Sequence, residues 1–295
     1  MFRILPFIFL FIFQNSFSQK NPELPDWTKA SFQKERLKKS LTHKTYRFWN
    51  KDCLGLNENI NILEVSLKTK KLKFGLASAD SYSDPNPFGG TLKPTSEIAQ
   101  SVGAVAAVNA GFFDMKNGGA VDFIKIKGQV FDTSRVYAKQ RLPFKQAISA
   151  FTIKDNQVKI IKGEQDKGWE DKLDAAYVLL TGPLLLFDKE AQPLAKTAFN
   201  DNRHPRTCAC VTSDQKLLIV TVDGRAAESE GVSLNELTIL LQSLKCKDAI
   251  NFDGGGSTTM YIKGQPENGV VNYPSDNKKF DHHGERSVSN IFYIR

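Results

Sequence analysis

Four stretches of this chain end an apolar run with an amide, a hydroxyl or an acid, just before a glycine or a turn. Asn109 closes AVAAVN, and Thr181 closes YVLLT before Gly182 and Pro183. Asp223 closes LLIVTVD before Gly224 and Arg225, and Asp253 closes AINFD before three consecutive glycines. Asn and Asp cap turns with their own side chains, so any one of these is ordinary strand-end chemistry. Four of them in one chain, one with an Arg two residues on, point to a shared pocket built on strand-end loops. Arg206 and Arg225 offer planar forks that match phosphate or carboxylate. In the turn after Asp253, Gly254 and Gly255 let a bound group approach backbone N–H donors with no Cβ in the way, and Ser257 and Thr258 add hydroxyls. Asp253, Asp223 and Glu285 are the candidate carboxylates for acid/base or nucleophilic work. Cationic donors facing carboxylates suit a substrate that is half phosphate and half sugar.

Those residues need strands to carry them. NINILEVSLKTKKLKFGLASA alternates apolar and polar residues on both sides of KTKK and reads as a hairpin. SYSDPNPFGG is a loop, after which Thr95 can cap a helix running to about Val102, with Glu97 in its first turn. AVAAVNAGFFD reads as a buried strand. VDFIKIKGQV, AISAFTI, QVKII, AAYVLLTGPLLLF (broken at Gly182–Pro183), RTCACVT and KLLIVTVDG continue a strand-rich pattern. Ser233–Leu234–Asn235–Glu236 is a capping box, and Leu234, Leu237, Leu241 and Leu244 give one apolar stripe on the helix it opens. Cys246–Lys247–Asp248 ends that helix, AINF is a short buried strand, and RSVSNIFYI closes the chain. Strands outnumber helices without strict βαβ alternation, so the expected fold class is α+β: a single domain with a mixed, strand-rich sheet and a few packed helices.

The chain has 295 residues, of which 41% are hydrophobic and 24% charged, with a formal net charge of +8. That is globular composition with a real core. Residues 1–18 read as a secretory signal peptide: Arg3 near the start, an apolar run too short to span a bilayer, then small residues at Ser16 and Ser18 before a cut at Gln19. No later run is long enough for a transmembrane span, so the chain is expected to be exported. Residues 19–52 form a basic N-terminal extension and 53–295 the main domain. Within 20–51, nine Lys/Arg stand against three Asp/Glu, a net of +6. That segment is a solvated helix or strap packed by Trp27, Phe32 and Trp49, or a docking face for an anionic polymer. Nucleic acid is not an expected partner of an exported protein. The four cysteines, Cys53, Cys208, Cys210 and Cys246, read as buried core thiols, with a bridge from Cys53 as the alternative.

No phosphate-loop, dinucleotide or serine-hydrolase elbow motif is present. Of the four histidines, His282 and His283 sit adjacent in a polar loop and converge poorly on a metal. His204, beside Pro205 and Arg206, either borders the pocket or is a turn residue. No metal or other cofactor is expected.

AVNAGFFD, TGPLLL, RHPRTCACVT, LLIVTVDGR, GVSLNELTILLQSL, AINFDGGGSTTM and ERSVSN occur in this order between residues 107 and 290. In that combination the sequence resembles the phosphodiester glycosidase family over about residues 60–295. The resemblance implies hydrolysis of a sugar-1-phosphate diester at the anomeric carbon–oxygen bond, in a phosphorylated cell-surface or extracellular glycan. It carries over to Asn109, Thr181, Gly182, Arg206, Asp223, Arg225, Asp253, Gly254, Gly255, Ser257, Thr258 and Glu285. Two places depart from the family pattern: Cys208 and Cys210 stand where small residues are usual, and Asp188–Lys189 stands where a glycine is expected. The leaving group is a phosphate monoester with a second pKa of about 6, so charge stabilisation outweighs general acid catalysis. Arg206 and Arg225, with the glycine turn, are assigned the phosphate. Asp253 is the base or nucleophile at C1, and Glu285 or Asp223 is the second carboxylate. The alternatives are a phosphodiesterase cutting P–O, a non-catalytic binder of phosphorylated polysaccharide, and a structural secreted protein.

Overall fold

A computed structural model describes residues 24–79, 90–131, 149–164 and 168–295. The expected signal peptide and most of the SYSDPNPFGG loop lie outside the described residues. The largest sheet has eight strands, in the order Ser31–Lys38, Leu41–Cys53, Leu56–Ser66, Lys216–Val222, Arg206–Thr212, Cys246–Asn251, Leu184–Phe187 and Glu190–Ala191. A five-stranded sheet, a four-stranded sheet and a two-stranded ribbon complete the α+β domain. Every strand pair among the described residues is antiparallel, where a mixed sheet was expected. Parallel neighbours need long crossovers, usually helical. The ten-residue helix Leu234–Ser243 makes one such crossover, but the strands it joins flank Arg206–Thr212 instead of touching each other.

Side-chain alternation along the large sheet sends its two faces into two cores. Ala209, Leu217, Ile219 and Ile250 face a core shared with Val108, Ile124, Phe151 and Phe292 of the smaller sheets. Cys208, Cys210, Leu218, Val220 and Val222 face the other core, which the helix covers with Leu234, Leu237, Leu240 and Leu241. Its capping box forms as expected: Glu236 N donates to Ser233 Oγ at 3.2 Å, and Ser233 N donates to Glu236 Oε2 at 2.8 Å. Each fully buried leucine contributes roughly 1.5–3 kcal/mol. Phe151 locks the first core edge-on against Phe252, 5.3 Å between centroids, just before Asp253.

Several local expectations need correction. The supposed hairpin splits: Leu56–Ser66 lies in the large sheet, while Phe74–Ser78 pairs with Asn290–Ile294 in another. Thr95 does not cap its helix but is its first residue, with Pro94 at the cap position. The Glu285 carboxylate takes over the capping role, accepting from Ser96 N at 3.0 Å and from Ser96 Oγ at 2.5 Å. The basic segment is neither helix nor strap from Ser31 onward; it is the outer strand pair of the large sheet. Trp27 does pack there, 4.7 Å from Tyr46. Cys246 opens a strand instead of ending the helix, which brings it to Cys210 on the neighbouring strand, and the two form a disulfide with Cα atoms 5.8 Å apart. Cys53 and Cys208 are free and buried. Among the described residues no helix is long and apolar enough to cross a membrane.

Candidate functional site

The strand Cys246–Asn251, paired on both sides, delivers Asp253 just past its C-terminal end, and the triple-glycine turn follows. Its amides are not an open cradle. Gly254 N donates to Asp253 Oδ1 at 2.9 Å and Gly255 N to Pro205 O at 2.8 Å. Ser257 N and Thr258 N donate to Gly254 O and Gly255 O, each at 3.2 Å. These four amides are therefore committed within the protein. What the glycines admit instead is arginine. Gly255 adopts φ +62°, and a methyl group built on it would lie 3.0 Å from Arg225 Nη2. A side chain on Gly256 would collide with Arg286 Nη2 and with Asp276 Oδ1.

Arg225 itself has φ +65°, a left-handed conformation that is costly for a non-glycine residue. Its guanidinium has no hydrogen bond or ion pair to another described residue, and it is exposed. Burial and the charge of Arg286 both lower its pKa, while Asp276 opposes them. Arg286 donates through Nε (2.9 Å) and Nη2 (2.5 Å) to Asp276 Oδ1. Two guanidinium groups thus press on adjacent glycines, with Asp276 bonded to Arg286 and Asp253 within reach of its charge. The Thr258 and Thr259 hydroxyls are fully buried nearby and have no partner. Ser257 Oγ makes no well-formed hydrogen bond, yet lies near enough to Asp253 to favour its ionised form. Burial of Asp253 dominates and pushes its carboxyl up to about 6, against Ser257, the Gly254 amide and Arg286.

The other expected site residues surround this turn in supporting positions. Arg206 is 1% exposed and turned inward. Its Nε donates to Val232 O at 3.0 Å, and its Nη2 to Phe199 O at 2.7 Å and Asn202 O at 3.0 Å. It backs Gly254, with its Cδ 3.7 Å from where a side chain would begin. Burial and Arg225 lower its pKa to about 10. His204 feels the charges of both Arg206 and Arg225, so it borders the site. Asn109 is a fully buried brace: Nδ2 donates to Asp253 O at 2.6 Å, and Oδ1 accepts from Thr207 Oγ1 at 2.8 Å and Thr259 N at 3.1 Å. Thr181 Oγ1 donates to Asn251 O at 3.1 Å, and Gly182 O accepts from Asn251 Nδ2 at 2.9 Å, so both steady the strand behind Asp253.

Asp223 is also fully buried. It accepts from Asn59 Nδ2 at 2.5 Å, Asn272 Nδ2 at 2.8 Å and Tyr273 N at 3.1 Å, although burial raises its pKa. Asn272 passes this support to the turn by donating to Thr258 O at 3.0 Å and accepting from Met260 N at 2.7 Å. Glu285 is held by Ser96, and burial raises its pKa. Both its oxygens are taken by Ser96, so its chain neighbour Arg286 reaches the turn and Glu285 itself does not. Arg286 was missed in the sequence, although it sits inside the ERSVSN phrase beside Glu285. Its signal was a third arginine next to a candidate acid. Among the described residues no cluster of three or more His, Cys, Asp or Glu could hold a metal ion.

An antiparallel α+β domain with an acid, a glycine turn and converging arginines at one strand end is the setting in which the comparisons fall. A sequence model of the family described as Phosphodiester glycosidase matches residues 102–295, and the chain belongs to that family. Among solved structures, the catalytic domain of zebrafish N-acetylglucosamine-1-phosphodiester alpha-N-acetylglucosaminidase, auto-inhibited by its pro-peptide, superposes with a TM-score of 0.64 at 20% identity, over 90% of this chain and 88% of that one. A hypothetical protein from Synechocystis superposes with a TM-score of 0.59 at 15% identity, over 89% of this chain and 63% of that one. An uncharacterized SPbeta prophage-derived protein of Bacillus subtilis, YomE, is 37% identical over 68 residues, 23% of this chain and 11% of that protein's length.

Proposed function

We propose that the protein is an exported hydrolase that cleaves the glycosyl C1–O bond of a sugar-1-phosphate diester in a phosphorylated glycan. One observation carries this reading: Arg225 and Arg286 converge on the glycine turn beside Asp253. The arginines take the non-bridging phosphate oxygens. Asp253, with a pKa near 6, is suited to accept a proton close to neutral pH. It takes the proton of a water that attacks C1. The C1–O bond breaks, and its electron pair leaves on the phosphate monoester, which the two arginines stabilise as charge develops. Glu285, held by Ser96 at the helix start, is a positioning residue next to Arg286 in the chain. Arg206, Asn109 and Asp223 are positioning residues. Family membership and the match to the zebrafish glycosidase support the reaction class. The Cys210–Cys246 disulfide supports export, because such bonds persist in oxidising compartments.

Turnover of methyl phosphoryl-1-GlcNAc in H₂¹⁸O tests the bond cleaved. Label in the released sugar's anomeric hydroxyl is the expected result. Label in the phosphate would show P–O scission and overturn the reading.

A further inference from the structure

A second recess lies away from the glycine turn, between the outer strand pair and the segment 265–271, with His282 at one side. Its volume is about 340 Å³. Contacts between distant parts of the chain fix its walls. Gln265 Nε2 donates to Glu35 Oε2 at 2.7 Å, and Arg47 Nη2 donates to the Tyr273 hydroxyl at 2.5 Å. Tyr273 is itself stacked on Phe280, 4.0 Å between centroids, so that wall is rigid. Glu267 on the opposite wall and its chain neighbour Asn268 hold left-handed backbone, φ 51° and 58°, a strain that clusters where ligands are held. In the floor, His43 pairs with Asn61 Oδ1 at 2.9 Å, while Asn61 Nδ2 is fully buried without a partner.

The lining chemistry selects the ligand. Small-molecule pockets are mostly apolar, but here Pro266, Val270 and Val271 are the apolar contributors and the rest is polar. A lipid or an apolar peptide side chain would find little to bury against. Lys34 and Arg47 are balanced by Glu35 and Glu267, and Arg47 also donates to Asn59 Oδ1 at 3.0 Å. Burial lowers the His43 pKa and keeps that ring neutral. No positive charge is left over for a polyanion. Side-chain amides, carboxylates and imidazoles set around a small apolar patch are donors and acceptors for vicinal hydroxyls. We propose that this cleft is a second saccharide subsite, holding a neutral sugar unit of the glycan whose phosphodiester the glycine-turn site cleaves.

The inference rests on the proposed reaction for its substrate, and the fold links the two places. His282 Nδ1 bonds Asn272 O at 2.6 Å, and the Asn272 side chain holds Thr258 and Met260 of the turn. One fully buried residue, Asn272, therefore joins the cleft wall to the reacting end.

The test is NMR titration of the ¹⁵N-labelled full chain with chitotetraose, maltotetraose and isomaltotetraose, alongside turnover of the small diester. At least one tetrasaccharide should shift the Gln265 side-chain amide and the backbone amides of residues 43–47. Gln265→Ala, on a half-buried position, and Thr45→Arg should each weaken that binding at least tenfold and leave small-diester turnover unchanged. The proposal is overturned if no tetrasaccharide shifts these signals, if both variants bind as the wild type does, or if polyphosphate shifts them and neutral sugars do not. Binding without turnover would sink the proposed reaction and keep the saccharide site; turnover without binding would do the reverse.

Discussion

Asp223 and Asp253 have the same sequence address, the end of a buried apolar strand just before glycine, yet they live in opposite environments. Asp223 is enclosed by three donors from Asn59, Asn272 and Tyr273. Asp253 is half-buried, with one backbone donor of good geometry and a pKa near 6. A carboxylate saturated with hydrogen bonds holds structure together, and one left short of partners is free to take a proton. Strand position is shared, but Asp223 is fully buried with three donors where half-buried Asp253 has one, so exposure and donor count together separate brace from reagent.

The sharpest way to break this comparison is to make the same change at both positions. Asp253→Asn should lower kcat by about a thousandfold, the scale of a lost general base, and keep the fold. It should also stabilise. An aspartate whose folded pKa is raised contributes stability that is present below pH 3.8 and lost as pH rises through about 6. Removing the ionisable group lifts that penalty, on the order of 1–3 kcal/mol at neutral pH. Asp223→Asn should do the opposite, because an amide NH₂ would face donors it cannot accept from, costing roughly 2–4 kcal/mol by denaturant unfolding. The pH profile sharpens the contrast: wild-type kcat/KM should fall about tenfold per unit below pH 6, as protonation of Asp253 removes the base. A flat profile from pH 7 to 4, or equal activity losses in the two variants, would dissolve the distinction.

Arg206 and Arg225 repeat the lesson with cations and a smaller expected effect. Arg206 spends its donors on three backbone carbonyls, while Arg225 stands unpaired over Gly255. Arg225→Lys keeps the charge and loses the fork, so it should cost roughly 10–100-fold in kcat/KM with unchanged stability. Arg206→Lys cannot reach the same carbonyls and should lose about 2–3 kcal/mol of stability before activity is separately affected. A thermal melt beside a progress curve for each variant decides the matter.

Several of the residues around the turn were legible in the sequence, but not which way they would turn, and Glu285 is held at a helix start instead. The strand ends, the capping box at Ser233 and the glycine turn were legible because periodicity and turn chemistry are local. The inward turn of Arg206 depends on the carbonyls of Phe199, Asn202 and Val232, which come from two other segments. The pairing of Cys210 with Cys246 required strand register, and the split of the supposed hairpin required knowing that two sheets share one core. Arg286 was hidden for the same reason: its partner Asp276 and its contact with Gly256 are made only in the folded chain.

The smallest effect compares two left-handed residues. Lys189, at φ 72°, sits in the surface turn where the family pattern leads one to expect glycine, and Arg225, at φ 65°, sits in the site. Both carry a Cβ in a conformation that costs a non-glycine residue on the order of 1 kcal/mol. Lys189→Gly should recover part of that and raise Tm by about 2 °C, with turnover unchanged, because its amide bond to Lys247 O is kept. Arg225→Gly should give a similar rise in Tm while removing the guanidinium, so stability improves as turnover is lost. If Arg225→Gly instead lowers Tm, the guanidinium is supporting the fold, and Arg225 belongs with Arg206 as a brace.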